Sequence, residues 1–281
     1  MHSKNGYLLR LDNDLSWHLS SQDEMSWLDS LAKIMELAPG RANGRFKIYY
    51  SKSSKSLHEK NWKVHDLKYL KIWSHQDKTE TICEVGVDDK VAPDFVRMIL
   101  TLLPIYKRLI EYGGLPFHSA LIKKNNAGFL LAAQGGTGKS TCCRRLPKPW
   151  TAICDDETLI VPDRNKKYSA HPMPTWSDYM FKRAEKTWKV EESFPLRGIF
   201  FLKRADTDKA IPLGAGKAAA LIFESAIQAY QRYLRNLDKS EMANMKNKIF
   251  NNACKIAASI PSFVLEVSLT GCFWQEIERV I

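Results

Sequence analysis

The run Ala133-Gln134-Gly135-Gly136-Thr137-Gly138-Lys139-Ser140-Thr141 holds the residue types that binding a phosphate chain requires. Closely spaced glycines at 135, 136 and 138 let backbone N–H groups turn inward without side-chain clashes, which makes a nest for anionic oxygens. An ammonium at Lys139 and hydroxyls at Ser140 and Thr141 follow at the spacing of a nucleotide phosphate loop. There the lysine reaches the β- and γ-phosphates and the serine hydroxyl ligates Mg2+. The expected nucleotide-binding set is Gly135, Gly136, Thr137, Gly138, Lys139, Ser140 and Thr141, with ATP and Mg2+ as ligands. Ala133 stands where the usual pattern has glycine, and its methyl is tolerated if the backbone keeps φ negative.

A second group lies fifteen residues beyond Ser140, where Asp155-Asp156-Glu157 ends an apolar segment. Ligands of open α/β sheets collect at the carboxyl ends of strands, so this placement sets carboxylates beside the loop. A carboxylate there holds Mg2+, directly or through water, or accepts the proton of an attacking hydroxyl. The competing reading is a solvated acidic turn. His118 falls in the strand expected beside the loop's own strand, a place where histidine is more often a hydrogen-bonded core residue than a catalytic one. His171 opens His171-Pro172-Met173-Pro174-Thr175-Trp176, a stiff, extended stretch suited to a site wall. Trp176 either stacks on a base or, more commonly for this residue type, is buried.

The elements that must position these groups follow from pattern. Residues 1–90 read as a β-rich unit with strands at 6–11, 45–50, 67–73 and 79–87, a helix over 23–37 and a polar loop over 51–60. Residues 91–114 form a linking helix that starts at Pro93, kinks at Pro104 and stops at Gly113-Gly114. Residues 115–281 form the nucleotide-binding unit. Its strands are expected at 116–122, 128–132, 150–154, 158–161, 199–203 and 263–268. Its helices are expected from the loop to about Leu146 and over 215–234, 241–258 and 273–281. The fold class is α/β.

A chain of 281 residues with 44% hydrophobic and 26% charged content is long enough for a full α/β core plus a smaller unit. No apolar run reaches the roughly 18 residues of a membrane span, and residues 1–5 lack the apolar core of a signal peptide, so a cytoplasmic protein is expected. The cysteines at 83, 142, 143, 154, 254 and 272 show no metal-ligand spacing and read as reduced, mostly buried small residues. The net charge of +11 is dispersed, without the aromatic interleaving of a nucleic-acid-binding strand. It fits an acidic peptide or protein partner better than nucleic acid.

The order Phe117-His118-Ser119-Ala120, strand, Gly-Gly-Thr-Gly-Lys-Ser, helix, Cys154-Asp155-Asp156 resembles the catalytic core of the HPr kinase/phosphorylase family over roughly residues 115–205. His118-Ser119-Ala120-Leu121-Ile122, His171-Pro172-x-Pro174-Thr175-Trp176-Ser177 and Ser268-Leu269-Thr270-Gly271-x-Phe273-Trp274 extend the resemblance to the HPr-kinase-related proteins of the SynChlorMet cassette (ScmC) type, encoded beside ribosomally made peptides. The resemblance implies an HPr-kinase-like (PEP-carboxykinase-like) P-loop core with a mixed sheet, joined here to a small N-terminal β-rich α+β unit. It further implies transfer of the γ-phosphoryl group of ATP to a Ser or Thr hydroxyl of a peptide or protein. Asp155 would then accept the hydroxyl proton, Asp156 would support the metal with Ser140 or hold the substrate hydroxyl, and His118 would sit near the transferring phosphate. Relatives of that family often assemble into rings, which makes a homo-oligomer an option. A nucleotide-binding partner module without transfer, and a small-molecule kinase or nucleotide hydrolase, remain as alternatives.

Overall fold

The computed structural model of the chain describes residues 5–12, 15–21, 23–40, 44–52, 62–67, 69–75, 78–85, 94–165, 167–181 and 185–281. Pro93, most of the 51–60 loop and the end of the 79–87 strand lie outside them.

Two mixed sheets carry the fold. The first holds β1 (Asn5–Arg10), β2 (Ser16–Ser21), β3 (Ala38–Pro39), β4 (Phe46–Ser51), β5 (Trp62–Asp66), β6 (Leu70–His75) and β7 (Glu80–Val85), in the order β3-β1-β2-β4-β7-β6-β5. The period-2 pattern is plain in β4, where Phe46, Ile48 and Tyr50 are buried and their neighbours are half-exposed. β2, β3 and β5 were not foreseen. β2 reads Ser-Trp-His-Leu-Ser-Ser, and a polar strand with only Trp17 and Leu19 as inward apolar residues gives little alternation signal.

Helix α1 (Ser26–Ile34) buries Trp27, Leu28, Leu31, Ala32 and Ile34. It is shorter than the 23–37 expectation, and Glu36 adopts a left-handed φ of 52° that no helix continues through. The linking helix is two helices, α2 (Asp94–Thr101) and α3 (Leu103–Glu111). Pro104 causes the break rather than a kink: it sits in the first turn of α3, where the N–H it lacks has no partner to lose.

The second sheet contains β8 (Leu115–Phe117), β9 (Ser119–Lys124), β10 (Ala127–Ala132), β11 (Thr151–Cys154), β12 (Thr158–Pro162), β13 (Tyr168–Pro172), β14 (Phe194–Arg204), β15 (Lys209–Pro212) and β16 (Ser262–Val267). The eleven-residue β14 is its spine. Its start pairs antiparallel with β13, and the rest runs parallel to both β10 and β16. Around this sheet lie α4 (Lys139–Arg145), α5 (Trp176–Phe181), α6 (Ala215–Leu234), α7 (Lys239–Ser259) and α8 (Phe273–Val280). β13, β15 and α5 were also not foreseen.

Both faces of the second sheet are covered. Leu121 and Leu130 face a large core that also takes Leu9, Trp17 and Ile48 from the first sheet and Ile105 and Leu109 from α3. Ala120, Ile122, Phe129 and Leu131 face a smaller core closed by Phe273 and Ile277 of α8. Arg145, at the end of α4, ties the two sides of that smaller core. Its guanidinium donates to the carbonyls of Ser268 (2.7 Å) and Gly271 and lies over the Phe273 ring. Gly271 is required there, because a Cβ would meet Asp208 Oδ2 at 2.1 Å.

Asn252 of α7 is buried and donates its amide to the carbonyls of Ile110 (2.8 Å) and Gly114 (3.1 Å), fastening the end of α3 to α7. Asn252→Leu keeps the bulk but removes both donors. Urea unfolding should show a loss of about 1–3 kcal/mol; an unchanged midpoint would remove this amide from the account of the fold.

Candidate active site

Strand directions gather one edge of the second sheet into a site. β9 is antiparallel to β10 and to β11, so β10 and β11 run the same way and end on the same side. β14 is parallel to β10 and ends there too. The pairing of Ala132 with Ser119 sets His118 opposite Ala133. The turn at 133–138, His118, Asp155-Asp156 and Arg204 therefore share an edge.

His118 is not inside a strand, as the sequence suggested. The segment breaks at this residue: β8 pairs with β12, and β9 pairs with β10 and β11. The backbone groups of His118, outside any ladder, are held by α6. Its N–H donates to the Ser225 carbonyl (3.3 Å) and its carbonyl accepts from Ser225 Oγ (2.9 Å).

Within the glycine-rich turn, Gly136 has φ 79° and Gly138 φ 120°, conformations that exclude a side chain without strain. At 135, 136 and 138 an added Cβ would meet nothing within 4 Å, so space for a ligand opens over all three. Among the described residues positive φ outside glycine occurs only at Glu36 and Asn125. Ala133 thus has negative φ, and its methyl is compatible with the turn.

Lys139, the first residue of α4, is buried at 8% exposure. Its ammonium donates to His118 Nε2 at 2.7 Å and to the Ala133 carbonyl at 2.8 Å. An ammonium has no lone pair to offer, so His118 Nε2 is the acceptor and the imidazole proton sits on Nδ1. Burial, then the lysine charge, press the imidazole pKa down to about 4. The ring is neutral at any ordinary working pH. Burial also holds Lys139 below the usual lysine range, against the opposing pull of Asp156 and Asp155.

The acidic run divides. Asp155 lines a cavity of about 290 Å3 with Ser140, Arg144, Thr175 and Lys186, and its backbone N–H donates to Thr175 Oγ1 at 3.2 Å. The Asp156 carboxylate accepts from Ser177 Oγ (3.2 Å) and Ser177 N–H (3.4 Å). Burial and then the charge of Asp155 raise its pKa above the usual carboxylate value. Glu157 turns the other way: Tyr106 Oη of α3 donates to its Oε2 at 2.6 Å, and burial lifts this carboxyl to about 7.

Ser140 and Thr141 are exposed in the first turn of α4, and Thr137 lies in the turn before it. Arg204 was missed by the sequence reading. Its guanidinium donates to the carbonyls of Gly136 and Thr137 (3.3 Å), setting a permanent charge against the turn. The available signal was a basic pair, Lys203-Arg204, at the carboxyl end of an expected strand. A cleft of about 640 Å3 opens on this side, between the turn, Phe201–Arg204 and the α6 residues Phe223, Glu224, Ile227 and Gln228.

Two candidate residues are not in the site. His171 is fully buried, with Nδ1 2.9 Å from the Val190 carbonyl and Nε2 3.5 Å from Asp12 Oδ2, and it fixes β13 to the first sheet's side of the core. Trp176 is 6% exposed and packs edge-on against Tyr179, so it offers no open face to a base. Cys83, Cys142 and Cys154 are free and buried as expected, whereas Cys254 and Cys272 are free and exposed. Among the described residues no helix is long and apolar enough to cross a membrane.

The family model of the SynChlorMet cassette protein ScmC matches residues 81–281, and the chain belongs to that family. No curated protein matches it.

The Glu157 carboxyl supplies a pH test of this geometry. Its folded pKa lies above its unfolded one, so from about pH 4.5 to 7 the folded chain holds a proton that the unfolded chain has lost. Stability falls as pH rises through that window. Glu157→Gln keeps an acceptor for Tyr106 and does not titrate. Relative to the native chain it should gain roughly 1–3 kcal/mol between pH 5 and pH 8 in urea unfolding; an equal difference at both pH values would contradict the assignment.

Proposed function

We propose that this ScmC-family chain is an ATP-dependent kinase with an HPr-kinase-like P-loop core, transferring the γ-phosphoryl group to a Ser or Thr hydroxyl of a peptide or protein in a peptide-modification pathway. The observation that carries this is the convergence of Lys139, His118, Asp155 and Asp156 on one edge, beside glycines at 136 and 138 whose φ values need glycine. A structural glycine turn has no need of a buried ammonium with two carboxylates in electrostatic reach.

In this reading the 133–138 turn and Lys139 hold the β- and γ-phosphates. The Arg204-side cleft, with apolar Phe201, Phe223 and Ile227 beside polar Glu224 and Gln228, takes the nucleoside. The Asp155-side cavity takes the hydroxyl-bearing side chain. Asp155 accepts the hydroxyl proton, the hydroxyl oxygen forms a bond to the γ-phosphorus, and the bond from that phosphorus to the β–γ bridging oxygen breaks, releasing ADP. Little covalent work is asked of the protein, and positioning and charge compensation supply the rate. Lys139 and Arg204 offset charge on the phosphates. His118, neutral and fixed by Ser225, orients the Lys139 ammonium.

The donors for Mg2+ would be oxygens, the Ser140 hydroxyl and the Asp156 carboxylate, which suits a hard cation. Among the described residues no cluster of three or more acidic, His or Cys side chains would hold a metal without other ligands. That fits an ion shared with nucleotide phosphates and water. When bound, Mg2+ would neutralise phosphate charge.

The test is transfer of label from γ-labelled ATP, with Mg2+, to the peptide encoded nearest the gene. Asp155→Asn should lower transfer by about 100-fold or more while leaving ATP affinity within threefold. Lys139→Ala should abolish ATP binding, and Arg204→Ala should lower the rate without moving the fold. ATP binding with no peptide label would sink the kinase reading for that peptide and favour a nucleotide-dependent binding module. ADP formed without label on the peptide would favour a small-molecule kinase or hydrolase.

A further inference from the structure

Away from this edge, a cavity of about 400 Å3 lies between the outer strands of the first sheet, α3 and the α6–α7 turn. Its wall carries four basic side chains, Lys63, Lys107, Arg108 and Lys248, against two carboxylates, Glu111 and Glu241. Both carboxylates are already engaged. Lys63 Nζ lies 2.7 Å from Glu241 Oε1, and Arg108 Nη1 lies 2.9 Å from Glu111 Oε2. Asp238, outside the wall, also lies 3.5 Å from Lys63 Nζ, so the wall keeps a net positive charge, with Lys107 and Lys248 as the amines outside these ion pairs. Among the described residues neither Lys107 nor Lys248 has an ion-pair partner within 4.0 Å.

Burial lowers the Lys107 pKa, Glu111 and Glu241 oppose that shift, and the Arg108 and Lys248 charges add to it. A concave wall with a net positive charge is stabilised when an anion enters. His65 adds no further positive charge. It is buried, with Nε2 3.3 Å from Glu241 and Nδ1 3.5 Å from Tyr233 Oη, and burial lowers its pKa. Ser74 and Asn244 on the same wall offer neutral hydrogen-bond donors. The volume is that of a small-molecule site.

We propose that this cavity is a binding site for a small dianion, a phosphate monoester or a dicarboxylate, held between Lys107 and Lys248. The site takes no part in the phosphoryl transfer proposed above and stands if that reading fails.

The test uses the full chain carrying Lys139→Ala, which silences anion binding at the glycine-rich turn, and titrates it calorimetrically with inorganic phosphate and with succinate. One of the two should bind saturably, one per chain, with a Kd of about 1 mM or tighter. Lys107→Met with Lys248→Met should weaken it at least tenfold, and Lys107→Arg with Lys248→Arg should retain it. Retention in the arginine pair separates loss of charge from loss of fold. Tighter binding of phosphate identifies the ligand as a phosphate ester, and tighter binding of succinate a dicarboxylate. No saturable binding of either probe, or binding unchanged in the methionine pair, would overturn the proposal.

Discussion

A lysine ammonium taken out of water has to be satisfied, and the site is organised around that requirement. Lys139 opens α4 from beneath the sheet edge, where few acceptors exist. It finds two, the His118 imidazole and the Ala133 carbonyl. An imidazole accepts from an ammonium only when neutral, so one hydrogen bond sets the His118 tautomer and ties the start of α4 to the residue before β9. The carboxylates of Asp156 and Asp155 favour the charged amine at longer range, against its burial.

The strand also breaks at residue 118. Had the segment continued as one strand, its backbone would have been consumed by ladder pairing. The break sends β8 to β12 and β9 to β10, and Ser225 of α6 satisfies the backbone groups that the ladders abandon. α6 thereby touches the site from behind, and the same helix walls the cleft on the Arg204 side. α3 does comparable service below: Tyr106 holds Glu157 away from the edge, which leaves two carboxylates rather than three beside the turn. Fewer like charges at one place means less repulsion between Asp155 and Asp156.

Much of this was legible in residue order. The glycine spacing, Lys139 and the strand before them located the turn. The apolar segment ending at Cys154 located the acids, and long periodic stretches located α6 and α7 nearly to the residue. Ala133 was read as tolerable under one condition, negative φ, and that condition is met. What failed had weak local signal. β2 is polar and β15 is four residues long. His171 resembled a site residue because its neighbours are prolines, but its partners, Val190 and Asp12, are far off in the chain and no pattern announces them.

Local sequence by itself determined which chemistry is available here: glycines for a backbone that approaches a ligand, a lysine, a serine and two aspartates at usable spacing, and the α/β alternation that carries them. Only the tertiary structure decided how these groups divide. It turned Glu157 inward and Asp156 toward Ser177, made His118 the partner of Lys139, brought Arg204 onto the turn, and set Lys107 and Lys248 on the wall of a separate cavity. The physical reason is that spacing fixes residue type and approximate direction along one segment, whereas burial, pKa and pairing are set by whichever distant segment packs against it.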